Sequence, residues 1–142
     1  VGCVPRVSAP APAISAVCSS CQLLQQTVRG LSPVSINNLA DQQQSAGNIA
    51  TASQTICGGI CSGVLLLDAS AFSNLGVLLK EQGLLEAAIS CYHIARRLEP
   101  SAARHRFRLG NSLMALNRFP EAMSHYRGST RINPRYADAY NN

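Results

Sequence analysis

The chain repeats itself at a step of 34 residues, and this constrains its fold more than any other feature. The step takes Ala69 to Ala103 and Ala137, Leu75 to Leu109, Gly76 to Gly110 and Leu79 to Leu113. It also takes Ala88 to Ala122, Tyr92 to Tyr126, Leu98 to Ile132 and Pro100 to Pro134. A period of this length marks a solenoid, in which each unit is a supersecondary element that cannot bury its apolar face alone.

Within each unit the residue types predict two antiparallel helices. Leu75 and Leu79, one turn apart, form the buried stripe of the first, and Gly76 lets a second helix approach its backbone. Ala88 is the small partner at that crossing, while Tyr92, Ala95 and Leu98 carry the buried face toward the next unit. Gly83 is placed to close the first helix in the left-handed conformation, and Asn117 takes that place in the second copy. Asp68 and Ser101 stand as N-caps. Pro100 and Pro134 stop the second helices, and Pro120 falls in a first turn, where its missing N–H costs nothing. The copies run over 69–102 and 103–136, with 137–142 opening a third. The second copy departs where Arg106 replaces the bulky apolar Phe72, Asn117 replaces Gly83, Ser129 replaces Ala95, and Gly128 sits inside a helix at roughly 1 kcal/mol.

The pattern Ala69-Phe72-Leu75-Gly76 then Ala88-Tyr92-Ala95-Pro100, with Ala137-Tyr140 beginning again, resembles the tetratricopeptide repeat family. That resemblance implies an all-α fold, with antiparallel helix pairs stacked as a right-handed solenoid. Its structural positions are Leu75, Gly76, Ala88, Tyr92, Ala95 and Pro100, then Leu109, Gly110, Ala122, Tyr126 and Pro134. It further implies a protein-interaction scaffold, holding a peptide or protein partner on the concave face made by the first helices. There it places Ser70, Ser73, Asn74, Val77, Lys80 and Glu81, then Arg104, Phe107, Arg108, Asn111 and Met114, then Asp138, Asn141 and Asn142. Asparagine and arginine on such a face suit peptide backbone and carboxylates, because the amide both donates and accepts and the guanidinium is bidentate.

The wording Ala71-Phe72-Ser73-Asn74-Leu75-Gly76, followed by Lys80-Glu81-Gln82-Gly83, is similar to the repeat arm of O-linked N-acetylglucosamine transferases. There an asparagine ladder just before the Leu-Gly pair holds substrate peptides; Asn74 and Asn142 match it and Arg108 breaks it. This resemblance implies an alternative, the substrate-selecting arm of a larger glycosyltransferase. The clamp that some family members use for chaperone tails needs Lys and Asn where this chain has Ser73 and Val77, which counts against it.

Charge narrows the partner. Of the formal net +5, none arises before Ala69, where Arg6 and Arg29 offset Asp41 and Asp68. Beyond it, ten Lys and Arg, nine of them Arg, face five acids. The run Arg104-His105-Arg106-Phe107-Arg108 reads first as a solvated basic face and second as a surface for an acidic or phosphorylated partner. Stacking aromatics are few and no recognition motif points to nucleic acid. Apolar runs as short as Val64 to Leu67 fall far short of the roughly 18 residues a membrane span needs. His93, His105 and His125 have no nucleophile or carboxylate at a telling spacing, so no catalytic residue and no cofactor is expected, and all three read as helix-surface residues. Tyr92 and Tyr126 read as core without a binding role.

Residues 1–67 are low in charge, rich in Ala, Ser and Gln, and match no module. Pro5, Pro10 and Pro12 suit an extended linker, with helices expected over 14–29 and 35–57, the second broken by Gly58-Gly59. The segment reads as a leader, a divergent helix pair or a wrongly joined piece. Stepping back 34 residues sets Asp41 and Gln42 against Leu75 and Gly76, so the array is expected to start near Asp68. Cys18-x-x-Cys21 and Cys57-x-x-x-Cys61 offer a four-thiolate zinc site, a redox function or two disulfides, but the pairs are more widely separated than zinc modules use. Scattered reduced thiols, Cys3 and Cys91 included, fit better and place the chain in the cytoplasm. Starting at Val1 and stopping at Asn142 in a first helical turn, the chain reads as a piece of a longer protein. With two repeats and a fraction, residues 69–142 alone are expected to be marginally stable.

Overall fold

The computed structural model describes Val28 and residues 30–136. Among them are six α-helices and no strand: α1 (Pro33–Ser45), α2 (Ile49–Cys61), α3 (Ala69–Glu81), α4 (Leu85–Leu98), α5 (Ala103–Ala115) and α6 (Phe119–Ile132), followed by a 3-10 turn, Pro134–Tyr136. The helix expected over 14–29 and the start of a third copy at 137–142 lie outside the described residues. Packing is closest within the hairpins α1–α2, α3–α4 and α5–α6, and α2–α3 and α4–α5 contacts join them into one stack. A single apolar core runs from Val28 through Ile36, Ile56, Leu65, Phe72, Leu79 and Tyr92 to Leu109 and Ala122.

Local chemistry sets the helix ends. Ser32 caps α1 by accepting from the Ser35 N–H at 3.2 Å, with Pro33 in the first turn. Asp68 caps α3 through one carboxylate oxygen, which accepts from Ser70 and Ala71 N–H at 2.8 and 3.2 Å, while its other oxygen accepts from Asn37 Nδ2 at 3.1 Å and ties α3 to α1. Ser101 does not cap α5: the cap position is Ala102, which makes no side-chain bond, and Ser101 is exposed. Each hairpin turns through a left-handed residue, Gly47 (φ +82°), Gly83 (+80°) or Asn117 (+60°).

Glycine inside α3 and α5 makes room for a ring. A Cβ on Gly76 would lie 2.6 Å from Tyr92 Cε1, and one on Gly110 would lie 2.5 Å from Tyr126 Cε1. The nearest atoms over Gly76 therefore belong to Tyr92, one turn beyond the small partner Ala88. Both departures of the second copy inside α6 are accommodated. Ser129 donates to the Ala103 carbonyl at 3.0 Å, and Gly128 leaves space for Arg106, whose Nη1 would be 3.1 Å from a Cβ there.

Upstream, the expected single stretch 35–57 is a hairpin, α1 and α2, turning over residues 46–48. Gly58-Gly59 does not break it. Both are buried within α2, and Gly59 lets Leu65 and Ile36 pack against bare backbone, a Cβ there falling 2.6 Å from Leu65 Cδ1. The step that carries this hairpin onto the next is 36 residues: Ile36 to Phe72, Leu39 to Leu75, Ala40 to Gly76, Gly47 to Gly83, Ala52 to Ala88 and Ile56 to Tyr92. The two extra residues sit in the turn after α2, over 62–67, which closes with a Leu65 N–H to Gly59 carbonyl bond of 3.0 Å.

Candidate functional site

The first helices of the second and third hairpins, α3 and α5, leave a cavity of about 280 Å³ between them, lined by Val77, Lys80, Glu81, Arg108 and Asn111, with Tyr92 of α4 as its floor. Residues 77, 80 and 81 share one face of α3 because they are three and four apart, opposite the buried Leu75, Leu78 and Leu79. Arg108 and Asn111 are related in the same way on α5, opposite Leu109 and Leu113.

Arg108 is held by a relay of side chains. Its Nη1 donates to Ser73 Oγ, Ser73 Oγ lies 3.2 Å from His105 Nδ1, and His105 Nε2 lies 3.2 Å from Glu99 Oε2. One proton assignment satisfies every member: a neutral His105 donates from Nε2 to Glu99 and accepts from Ser73 at Nδ1, leaving Ser73 free to accept from Arg108. His105 is therefore not a surface residue. It is fully buried, at the step-mate of the equally buried Ala71, and burial holds its pKa below the ordinary imidazole value, the Glu99 hydrogen bond acting against that shift.

The cavity's other polar groups are equally placed. Tyr126 is only half-buried, and its hydroxyl donates to Asn111 Oδ1 at 2.7 Å, which leaves the Asn111 amide N–H groups to donate elsewhere. One step back, Val77 stands where Asn111 does, so Tyr92 lacks the matching amide. Burial pushes the Tyr92 phenol up to about 12, with Arg108 pulling the other way, so it stays a neutral hydroxyl beside two cations. Neither tyrosine's part was expected from its core position in the repeat.

Of the groove residues named from sequence, the cavity gathers Val77, Lys80, Glu81, Arg108 and Asn111. Phe107 stacks between Tyr126 and Tyr136, with centroids 5.8 and 5.1 Å away. Arg104, one turn before Arg108, is diverted from it by a 2.6 Å pair with Glu99. Met114 is exposed and Asn74 half-buried, and neither lines the cavity. Asn141 and Asn142 lie outside the described residues.

The tetratricopeptide repeat family model matches residues 73–137. Over that stretch the chain is similar to tetratricopeptide repeats. Solved structures similar to the chain include a mutant of MamA (17% identity, 84% of this chain and 91% of that one, TM-score 0.69) and MamA itself (18%, 90% and 75%, 0.68). A further MamA structure gives 16%, 89%, 69% and 0.67. At these identities the likeness is one of fold, and it shows the all-α helical-repeat architecture. No curated protein matches the chain in sequence. Because the overlap takes in 84% or more of the chain, it reaches upstream of the matched stretch into α1 and α2. Among the described residues no group of three or more His, Cys, Asp or Glu could hold a metal ion. Cys57 is buried and Cys61 half-buried in α2, and Cys18 and Cys21 are outside the described residues. No described helix is long and apolar enough to cross a membrane.

Proposed function

We propose that the chain is a protein-interaction scaffold whose α3–α5 cavity takes an extended peptide segment bearing a carboxylate side chain. The observation that carries this is the convergence of Lys80, Arg108, Asn111 and the neutral Tyr92 hydroxyl on one open cavity, with Arg108 fixed by Ser73 and with Glu81, the acid of the lining, accepting from Gln44 Nε2 at 3.1 Å. A guanidinium whose geometry is set before binding loses less freedom when it engages a carboxylate, and the neighbouring amide suits peptide backbone. The repeat architecture and its MamA-like neighbours support the scaffold reading. The transferase-arm alternative draws nothing from this geometry, since Asn74 stands outside the cavity and the next rung is Arg108. We further propose that the array begins at Pro33, with α1–α2 as a diverged copy of the same unit.

A defined peptide library tests this, with each acidic decapeptide paired with its amide (Asn/Gln) counterpart and binding measured by fluorescence anisotropy. Acidic members are expected to bind more tightly, with affinity falling as salt rises. Arg108→Glu is expected to cost roughly 1.5–3 kcal/mol of binding, and Arg104→Glu much less because Arg104 is engaged by Glu99. Equal binding of acid and amide peptides, or an unaffected Arg108→Glu variant, contradicts the proposal.

A further inference from the structure

A second cluster lies away from the concave cavity, where the second helices α4 and α6 meet. His93 and Arg96 stand three residues apart on α4, His125 comes from α6, and Arg106 reaches over from α5 to lie against Gly128 of α6. The two imidazoles meet edge to face with centroids 5.8 Å apart. Three polar atoms of this cluster, Arg96 Nε, Arg106 Nε and His125 Nδ1, are buried with no hydrogen-bond partner. As whole residues all four are half-buried, so the seam meets solvent.

Such an arrangement is costly as it stands. A buried donor without an acceptor keeps its full desolvation penalty, and here the orphans belong to cationic or potentially cationic groups gathered on one seam. The ion pairs among the described residues engage Arg104, His105 and Arg118 with Glu86, Glu99 and Glu121, and neither Arg96 nor Arg106. Burial first, then Arg106 and Arg97, lowers the pKa of Arg96. His125 is lowered by burial, then by His93, Arg96 and Arg106, with Glu121 opposing; His93 is lowered by burial, Arg96 and Arg118, with Glu121 again opposing. Positive charge and unspent donors thus meet on one surface. The sequence also shows two local losses made together: Arg106 where the preceding copy has Phe72, and a helix-weakening Gly128 that gives its guanidinium room.

We propose that this seam binds a phosphate-type oxyanion. Donors arriving from three helices suit a tetrahedral group with several equivalent oxygens, whereas a planar carboxylate is satisfied by one guanidinium fork. The ligand is inorganic phosphate or a phosphoryl group carried by a partner chain, both presenting the same oxygens. An anion seated here satisfies the orphan donors and favours imidazolium at positions 93 and 125, so affinity for a permanent dianion such as sulfate rises as the pH falls from 7.5 to 6.

The test uses the full chain at fixed ionic strength, titrated with inorganic phosphate or sulfate while the imidazole C–H signals are followed by NMR. Saturable movement of the His93 and His125 signals, with that of His105 unmoved, is the expected result. Competition by a phosphoserine tetrapeptide assigns the ligand to a partner chain, and its failure to compete assigns it to the free ion. Arg96→Gln and Arg106→Met are each expected to weaken binding about tenfold or more. Arg106→Met is chosen because the equivalent position one step back holds the apolar Phe72 and because methionine removes the buried, unpartnered Nε, so its melting temperature is expected to hold or rise while binding weakens. No saturable shift at roughly 50 mM phosphate, or an undiminished response in both variants, overturns the proposal.

Discussion

Two glycines, Gly76 and Gly110, each leave room on a helix backbone for a tyrosine ring. Gly76→Ala would set a Cβ 2.6 Å from a ring that is 1% exposed, whereas Gly110→Ala meets a half-buried Tyr126 that can shift toward solvent. Alanine gains about 1 kcal/mol of helix propensity at either site, against roughly 1–3 kcal/mol for overpacking. Gly76→Ala is therefore expected to lower the melting temperature, and Gly110→Ala to lower it less or not at all. Thermal denaturation of the two variants checks the order. The histidines give a second expectation. Burial lowers the pKa of His93, His105 and His125 in the fold, so near pH 6 the unfolded chain binds more protons than the folded one. Their contribution to stability is complete above the unfolded value of about 6.5 and is lost as the pH falls below it. Melting temperature should then drop between pH 7.5 and 5.5, and a flat or rising profile would contradict the assignment. Sequence showed the glycines, but the burial of His105 was invisible there, because its partners Ser73 and Glu99 come from α3 and from the turn after α4.

At the scale of the helices, turn and capping residues were legible in part. Gly83 and Asn117 have the expected left-handed backbone, and Asp68 caps where expected. Asp68 also receives Asn37, a contact across hairpins, so Asp68→Ala is expected to cost about 1–2 kcal/mol. Ser101→Ala should fall within about 0.5 kcal/mol, since Ser101 is exposed and caps nothing. Urea unfolding of both variants provides the comparison. The upstream hairpin escaped the sequence reading because two residues added to the turn after α2 shift its register from 34 to 36. Under the shorter step Asp41 and Gln42 oppose Leu75 and Gly76; under the longer one Leu39 and Ala40 do. Gly58-Gly59 resembles a break for a related reason. A glycine stops a helix or packs inside it according to what lies against it, and Leu65 reaches Gly59 only after the chain has turned back.

For the whole molecule, the upstream hairpin acts as the cover that a short repeat array needs. Gln44 and Gln82 bond across to Glu81 and Ser53 at 3.1 Å, and α2 closes over the same core that holds Phe72 and Leu79. Removing residues 1–67 is expected to leave the remaining repeats with a broad, low-temperature melt, and a sharp transition at the temperature of the full chain would contradict that. The cavity was legible to the extent that the repeat register assigns helix faces: Val77, Lys80, Arg108 and Asn111 meet there, while Arg104 is lost to Glu99, a partner five residues back that the register ignores. In the proposed function, this hollow between α3 and α5 receives the guest. Amide chemical-shift mapping of the full chain with an acidic, unphosphorylated decapeptide tests it most directly. Shifts are expected to concentrate at Val77, Lys80, Arg108 and Asn111 while His93, Arg96 and His125 stay still; the largest shifts on α2, α4 and α6, with the α3–α5 hollow unmoved, would contradict it.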